Sequence, residues 1–267
     1  MKKSTLLHMT WEEFRDCVNP ELVVVIPMGS VELEGPYLPL GVDTLVAEGV
    51  ARRLEGEEGV LIGPSLPLGH SKWFMPFPGT ISLEHGTLTA LLLDYCRSLI
   101  RHGVKRFVFL NAHRGNHACV DEVSRTLILE RPLRIGMAGL WKLANDLIAN
   151  KQGLIQEGKF THAGEIMTSV VLALNPETVV TKGMHADLPK SPEGSAFRIL
   201  NSLGETSFQG SVQTVYMHIR EITRTGLFGD PTTASVEKGE VLLDMMTEYL
   251  KAFLQAFRKL PLSAQAE

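Results

Sequence analysis

The segment 22–28, LVVVIPM, is the strongest constraint on what this chain can become. Three successive valines and an isoleucine leave the run without a polar face. Such a strand must be covered on both sides, as strands inside a parallel sheet are. Further apolar runs at 60–64, 106–110 and 133–137 predict three more strands. Between and after them lie helical patterns at 44–54, 88–102, 117–130, 165–174 and 236–257, with Gly103 placed to end the second. Alternation of this kind predicts an α/β fold: one domain over 1–267 with a mostly parallel sheet flanked by helices on both faces. Sites in such sheets form at the carboxyl ends of the strands.

With 267 residues, of which 44% are hydrophobic and 21% charged, the chain can bury a core without staples. A net charge of -4 gives no basic excess for nucleic acid. Cys17, Cys96 and Cys119 are too dispersed for a disulfide framework or a zinc ribbon. No apolar stretch approaches a membrane span, and no signal-peptide core follows Lys2 and Lys3. A cytoplasmic protein acting on a small molecule, without nucleic-acid or membrane partners, is the expectation.

Three segments carry chemistry. The first is 29–43, GSVELEGPYLPLGVD, directly after the first strand. Glu32 and Glu34 are two apart, so in an extended segment they point the same way. If Asp43 joins them, three carboxylates repel unless a divalent cation neutralises them. The plainer alternative is three solvated loop acids, and spacing alone leaves both open. The second segment is 111–116, NAHRGN, at a strand-to-helix junction. His113 can add an imidazole to the acids, Asn116 is placed as a helix cap, and Arg114 can grip a carboxylate, hydroxyl or keto oxygen or simply form a surface ion pair. In the third, 161–169, His162 and Glu165 share a face at a helix start and are the catalytic candidates, since a histidine there can shuttle protons; the plainer alternative is an incidental histidine beside a glutamate stabilised by the helix dipole. Trp73 and Phe74, after Ser71, can wall a pocket or belong to the core. Gly153 and Gly158 predict a flexible flap at 151–161, and 180–211 reads as a long excursion. No serine or cysteine nucleophile has a base at a recognisable motif spacing.

Taken in order, IPMGSVELEGPYLPLGVD, FPGTISLEHG, FLNAHRGN, HAGEIMTSVVLALNPETV and GDPTTASVEKGE resemble the creatininase family, over most of the chain. The resemblance implies a hydrolase with one or two divalent metals, Zn or Mn, and assembly into homo-oligomers, often hexamers. Carried over by position, Glu32 and His113 are ligands of the first metal. Asp43 is the bridging carboxylate, His162 handles the proton, and Ser71 contacts substrate. Two positions depart from the family pattern: Glu34 stands where a histidine is usual, and Met167 where a glutamate is usual. Both usual residues look like ligands of the second metal. Glu34 is expected to bind that metal, with Glu165 or water completing the shell; a weak second site or a single metal are the alternatives. The expected reaction opens a small cyclic amide or related C–N substrate. The alternatives are C–C hydrolysis of a cyclic diketone of the keto-inositol type at the same site, or a non-catalytic protein that kept the fold.

Overall fold

Successive residues of the first strand face opposite sides of a sheet, and both sides are covered. In the computed structural model, which describes residues 3–149, 151–201 and 204–263, Val23 and Val25 join one apolar cluster. Val24, Ile26 and Met28 join another. The elements run in the order α1 (Trp11–Cys17), β1 (Val23–Met28), α2 (Val42–Arg53), β2 (Val60–Ile62), α3 (His85–Arg101), β3 (Arg106–Asn111), α4 (His117–Glu130), β4 (Arg134–Gly139), α5 (Leu140–Ile148) and α6 (Glu165–Leu174). A short hairpin layer follows, β5 (Arg198–Ile199), β6 (Glu205–Phe208) and β7 (Ser211–Thr214), then α7 (Ile219–Ile222) and α8 (Val236–Arg258).

The main sheet has the order β2-β1-β3-β4, and every pairing is parallel. Helices α2, α5, α6 and α8 cover one face, and α3 and α4 the other. The fold is therefore α/β with helices on both faces, as the alternating pattern predicts. Because β2 and β3 lie on opposite sides of β1, the connections diverge between β1 and β3. A crevice opens there, outside the strands' carboxyl ends.

Three sequence expectations need correction. Helix α2 begins at Val42 rather than Thr44, so Asp43 sits in its first turn instead of in the preceding loop. Asn116 is not a side-chain cap. Its amide instead donates to Gly29 O at 3.0 Å, and its Oδ1 accepts from His70 N at 3.0 Å, stitching the ends of three segments together. The excursion at 180–211 leads into an antiparallel hairpin, closed by Gln209 and Gly210, both at positive φ as a primed two-residue turn requires. This layer packs Ile199 with Leu33, Phe74 and Phe228 in a third apolar cluster.

Candidate metal centre

The crevice is held open by close backbone approaches. A Cβ on Gly29 would lie 2.3 Å from Thr44 N, so glycine lets the end of β1 touch the start of α2 and brings Asp43 to the strand end. A Cβ on Gly115 would lie 2.1 Å from His70 O and 2.4 Å from His113 Nε2. Glycine there leaves room for the imidazole beside that carbonyl.

Five of the expected site residues converge. Ligand atoms of Glu32, Asp43 and His113 lie within 4.8 Å of one another, as do those of Glu32, Glu34 and His162. All five side chains are buried. Asp43 Oδ2 accepts from Ser30 Oγ at 2.9 Å and lies 3.0 Å from His113 Nδ1. Its Oδ1 accepts from the Trp141 indole N–H at 2.8 Å. His113 Nε2 lies 2.9 Å from His70 O. A carbonyl can only accept, so Nε2 carries a hydrogen, and Nδ1, facing Asp43, is the nitrogen left for a ligand role. The residue common to both groups is Glu32, whereas the family resemblance assigns the bridging position to Asp43.

Glu165 does not join them, contrary to the expectation of a catalytic or ligand role. Its Oε1 pairs with Lys238, and its Oε2 accepts from Glu157 N at 2.9 Å. Lys238 lies 73 residues away and captures the carboxylate inside the core. Glu157 reciprocates: its Oε2 accepts from Glu165 N at 2.6 Å and its Oε1 from Asp230 N at 2.7 Å. The expected flap is thus tied down near its carboxyl end, where Phe160 N also donates to Asn145 at 2.7 Å. Met167 lines the crevice and offers only a thioether.

Burial decides the electrostatics. Glu32 is pushed up to about 7, first by desolvation and then by Asp43. Glu34 rises well above the carboxylate range through desolvation and the charges of Asp43 and Glu32. Burial works to lower His113, but the charges of Glu32 and Asp43 outweigh it and hold the imidazole up at about 9. His162 goes the other way, down to about 4, because it is desolvated. Its ring stacks on Phe74 at 4.8 Å and meets the edge of Phe228 at 5.9 Å.

Glu32 Oε2 and both carboxylate oxygens of Glu34 are buried with no hydrogen-bond partner among the described residues. Imidazoles lie beside them, His113 Nε2 at 3.4 Å from Glu32 Oε2 and His162 Nε2 at 3.5 Å from Glu34 Oε2. Carboxylates buried without hydrogen bonds are costly, and a cation removes the cost. Oxygen donors with one or two imidazoles suit a divalent metal. The residues present therefore fit such an ion.

The centre opens into a cavity of about 1510 Å³. Ser71, Trp73 and Arg114 are among the residues that line it. Ser71 Oγ lies 3.4 Å from His113 Nε2. The Arg114 side chain is 65% exposed, with Glu205 3.9 Å away. Ser30, His70 and Trp141 were not among the residues singled out from sequence. Ser30 lies inside the acidic motif, and Trp141 follows the carboxyl end of β4, so position was the available signal for both.

Fold and site together define a hydrolase whose centre suits a divalent metal. The creatininase model, described as creatinine amidohydrolase, matches residues 7–254, and the chain belongs to that family. It is 34% identical over 239 residues to the mycofactocin precursor peptide peptidase of Mycobacterium tuberculosis (strain ATCC 25618 / H37Rv), covering 84% of this chain and 81% of that one. Over 259 residues it is 26% identical to the 3-dehydro-scyllo-inosose hydrolase of Thermotoga maritima, covering 93% and 83%. A solved E122Q mutant creatininase of Zn-Zn type superposes with a TM-score of 0.79 at 26% identity, covering 97% of this chain and 100% of that one. A solved creatininase described with Mn gives 0.78 at 25%, with the same coverage. Among the described residues no helix is long and apolar enough to cross a membrane.

Proposed function

We propose that this protein hydrolyses an amide or related C–N bond, in a small cyclic amide or a short peptide, at a centre of one or two divalent metals, Zn or Mn. The observation that carries the proposal is the pair of buried ligand groups sharing Glu32, with oxygens of Glu32 and Glu34 that accept no hydrogen bond among the described residues. Glu32, Asp43 and His113 would hold one ion, and Glu34 would hold a second. A divalent ion supplies Lewis acidity toward a carbonyl and brings the pKa of water toward neutrality.

The chain's own groups do the rest. Ser30 and Trp141 fix the two oxygens of Asp43, and His70 O fixes the ring of His113. His162 is neutral, and its Nε2 lies 3.1 Å from Leu33 O. The same nitrogen lies 3.5 Å from Glu34 Oε2, so His162 is the imidazole set beside the acidic cluster, and it is the group assigned to carry a proton to a leaving amine. Ser71 and Trp73 line the path to the centre. The cavity exceeds the roughly 300–1,000 Å³ common for small-ligand sites, which favours an amide larger than a lone ring.

The second reading keeps the centre and changes the bond to the C–C bond of a cyclic diketone. It draws support from Glu34 in the usual histidine position and from the inosose hydrolase relative. Homo-oligomeric assembly belongs to the same family-based proposal, and sedimentation of the purified protein tests it. To test the reaction, protein loaded with Mn or Zn is assayed on lactams, formamides, short peptides and keto-inositols. Turnover of an amide class is the expected result. Turnover of keto-inositols alone would establish the second reading, and inertness together with no bound metal would mean a non-catalytic protein.

A further inference from the structure

The chain is acidic overall, with a net charge of -4. The cavity outside the metal centre has the opposite balance. Lys72, Arg114, Lys142, Lys159 and Arg198 line it, against two carboxylates, Glu157 and Asp230. Those two are engaged by the protein. Glu157 accepts from the backbone of Glu165 and Asp230 and from Thr161, and Asp230 Oδ1 accepts from Thr232 N and Oγ1. Lys72 and Lys142 have carboxylate neighbours of their own, Glu84 and Asp146. Arg114 has only the long 3.9 Å approach to Glu205. Neither Lys159 nor Arg198 has a side-chain partner among the described residues.

These cations come from separate parts of the chain: Arg114 from the β3 end, Lys159 from the segment before α6, and Arg198 from β5. They line one cavity, and among the described residues only Arg114 has a carboxylate neighbour, at 3.9 Å. A cleft lined by one sign of charge concentrates ligands of the other sign. Guanidinium forks suit carboxylate and phosphate groups in particular.

We infer that the substrate carries an anionic group away from the bond that is cleaved, and that Arg198, Lys159 and Arg114, which line the same cavity, are the cations that receive it. The inference concerns the hydrolytic site proposed above and rests on that function. The substrate class is thus an acidic amide, such as a peptide with a free carboxyl end or a carboxylate- or phosphate-bearing cyclic amide.

A binding measurement separates this inference from the reaction itself. Metal-loaded protein is titrated calorimetrically with linear dicarboxylates of four to eight carbons, with phosphonocarboxylates of matching length, and with monocarboxylates of the same length. One carboxylate reaches the centre in every case, and only the two-headed probes place a second anion on the rim. At least one two-headed probe is expected to bind about tenfold more tightly than its one-headed partner, the worth of one charge-assisted hydrogen bond. Whether it is a dicarboxylate or a phosphonate identifies the anion. The advantage should vanish in Arg198→Ala/Lys159→Ala, two exposed positions whose truncation spares the core, while one-headed binding stays. Equal binding of both probe types at every length, or an advantage that survives the double substitution, overturns the inference even if the protein proves to be an amide hydrolase. Failure of every amide assay alongside a clear two-headed advantage would overturn the proposed reaction and leave the rim as an anion site.

Discussion

Glu157 and Glu165 each accept the other's backbone N–H, at 2.6 and 2.9 Å. Between them lie His162 and Ala163, the latter at φ 56, a left-handed conformation that a non-glycine residue adopts only when its surroundings hold it. The exchange therefore sets the backbone that presents His162 to the centre. Glu157→Ala removes an acceptor used by two backbone N–H groups and a hydroxyl, and should cost about 1–3 kcal/mol in urea unfolding of the metal-free protein. Glu157→Gln should cost less, since its amide oxygen still accepts. An unchanged midpoint in Glu157→Ala would show that the exchange holds nothing in place.

Asp43 is held from two sides, by Ser30 and by Trp141. Asp43→Ala should abolish stoichiometric metal, measured by elemental analysis of purified protein. Trp141→Phe keeps the ring but loses the donor, and should weaken metal affinity roughly 10–100-fold, as expected for a partner that orients a ligand. Wild-type metal content in Asp43→Ala would remove that residue from the centre.

Glu34 makes a pH prediction whose sign is fixed. Its folded-state pKa is raised, so its contribution to the metal-free protein is present below the ordinary carboxylate range and is lost as pH rises. Glu32, raised to about 7, acts in the same direction. His162, lowered to about 4, contributes stability above about 6.5 that is lost as pH falls toward 4. Glu34→Gln does not titrate, so metal-free Glu34→Gln should gain melting temperature relative to wild type as pH rises from 5 to 8. With metal added, the order should reverse, because wild type keeps the carboxylate ligand. A constant difference across pH in the metal-free proteins would contradict the raised pKa.

His162 lies within reach of a ligand group yet is assigned the proton. His162→Gln should keep its metal and lose about 10²–10⁴ in kcat on whichever substrate proves active. Loss of metal together with activity would make His162 a ligand instead.

Much of the architecture was legible because it rests on local pattern. The apolar run at 22–28 announced a strand covered on both faces, and α2, α3, α4, α6 and α8 were visible in their periodicity, whereas α5 and α7 were not expected from the sequence. The acidic motif and His113 were legible as a site because they fall just beyond strand ends. What was not legible depends on distant partners or on silent starts. Gly41 precedes α2 without a capping side chain, so nothing in the text marked Asp43 as helical. Asn116 looked like a cap, but its amide is drawn off by Gly29, 87 residues earlier. Glu165 looked available until Lys238 claimed it, and Trp141 reaches Asp43 across 98 positions.

The placement of the hairpin layer has an evolutionary consequence. Asp43 sits in the first turn of α2, His113 just past β3, and Glu32 and Glu34 in the loop between β1 and α2, so all four lie within a few residues of elements that carry the core. Arg198, Ile199, Tyr216 and Met217, which line the same cavity, come from a stretch that adds no strand to that sheet. The acidic cluster and this part of the cavity lining therefore sit on separable lengths of chain. Residues in the second stretch can change without disturbing the strands that lead into the first.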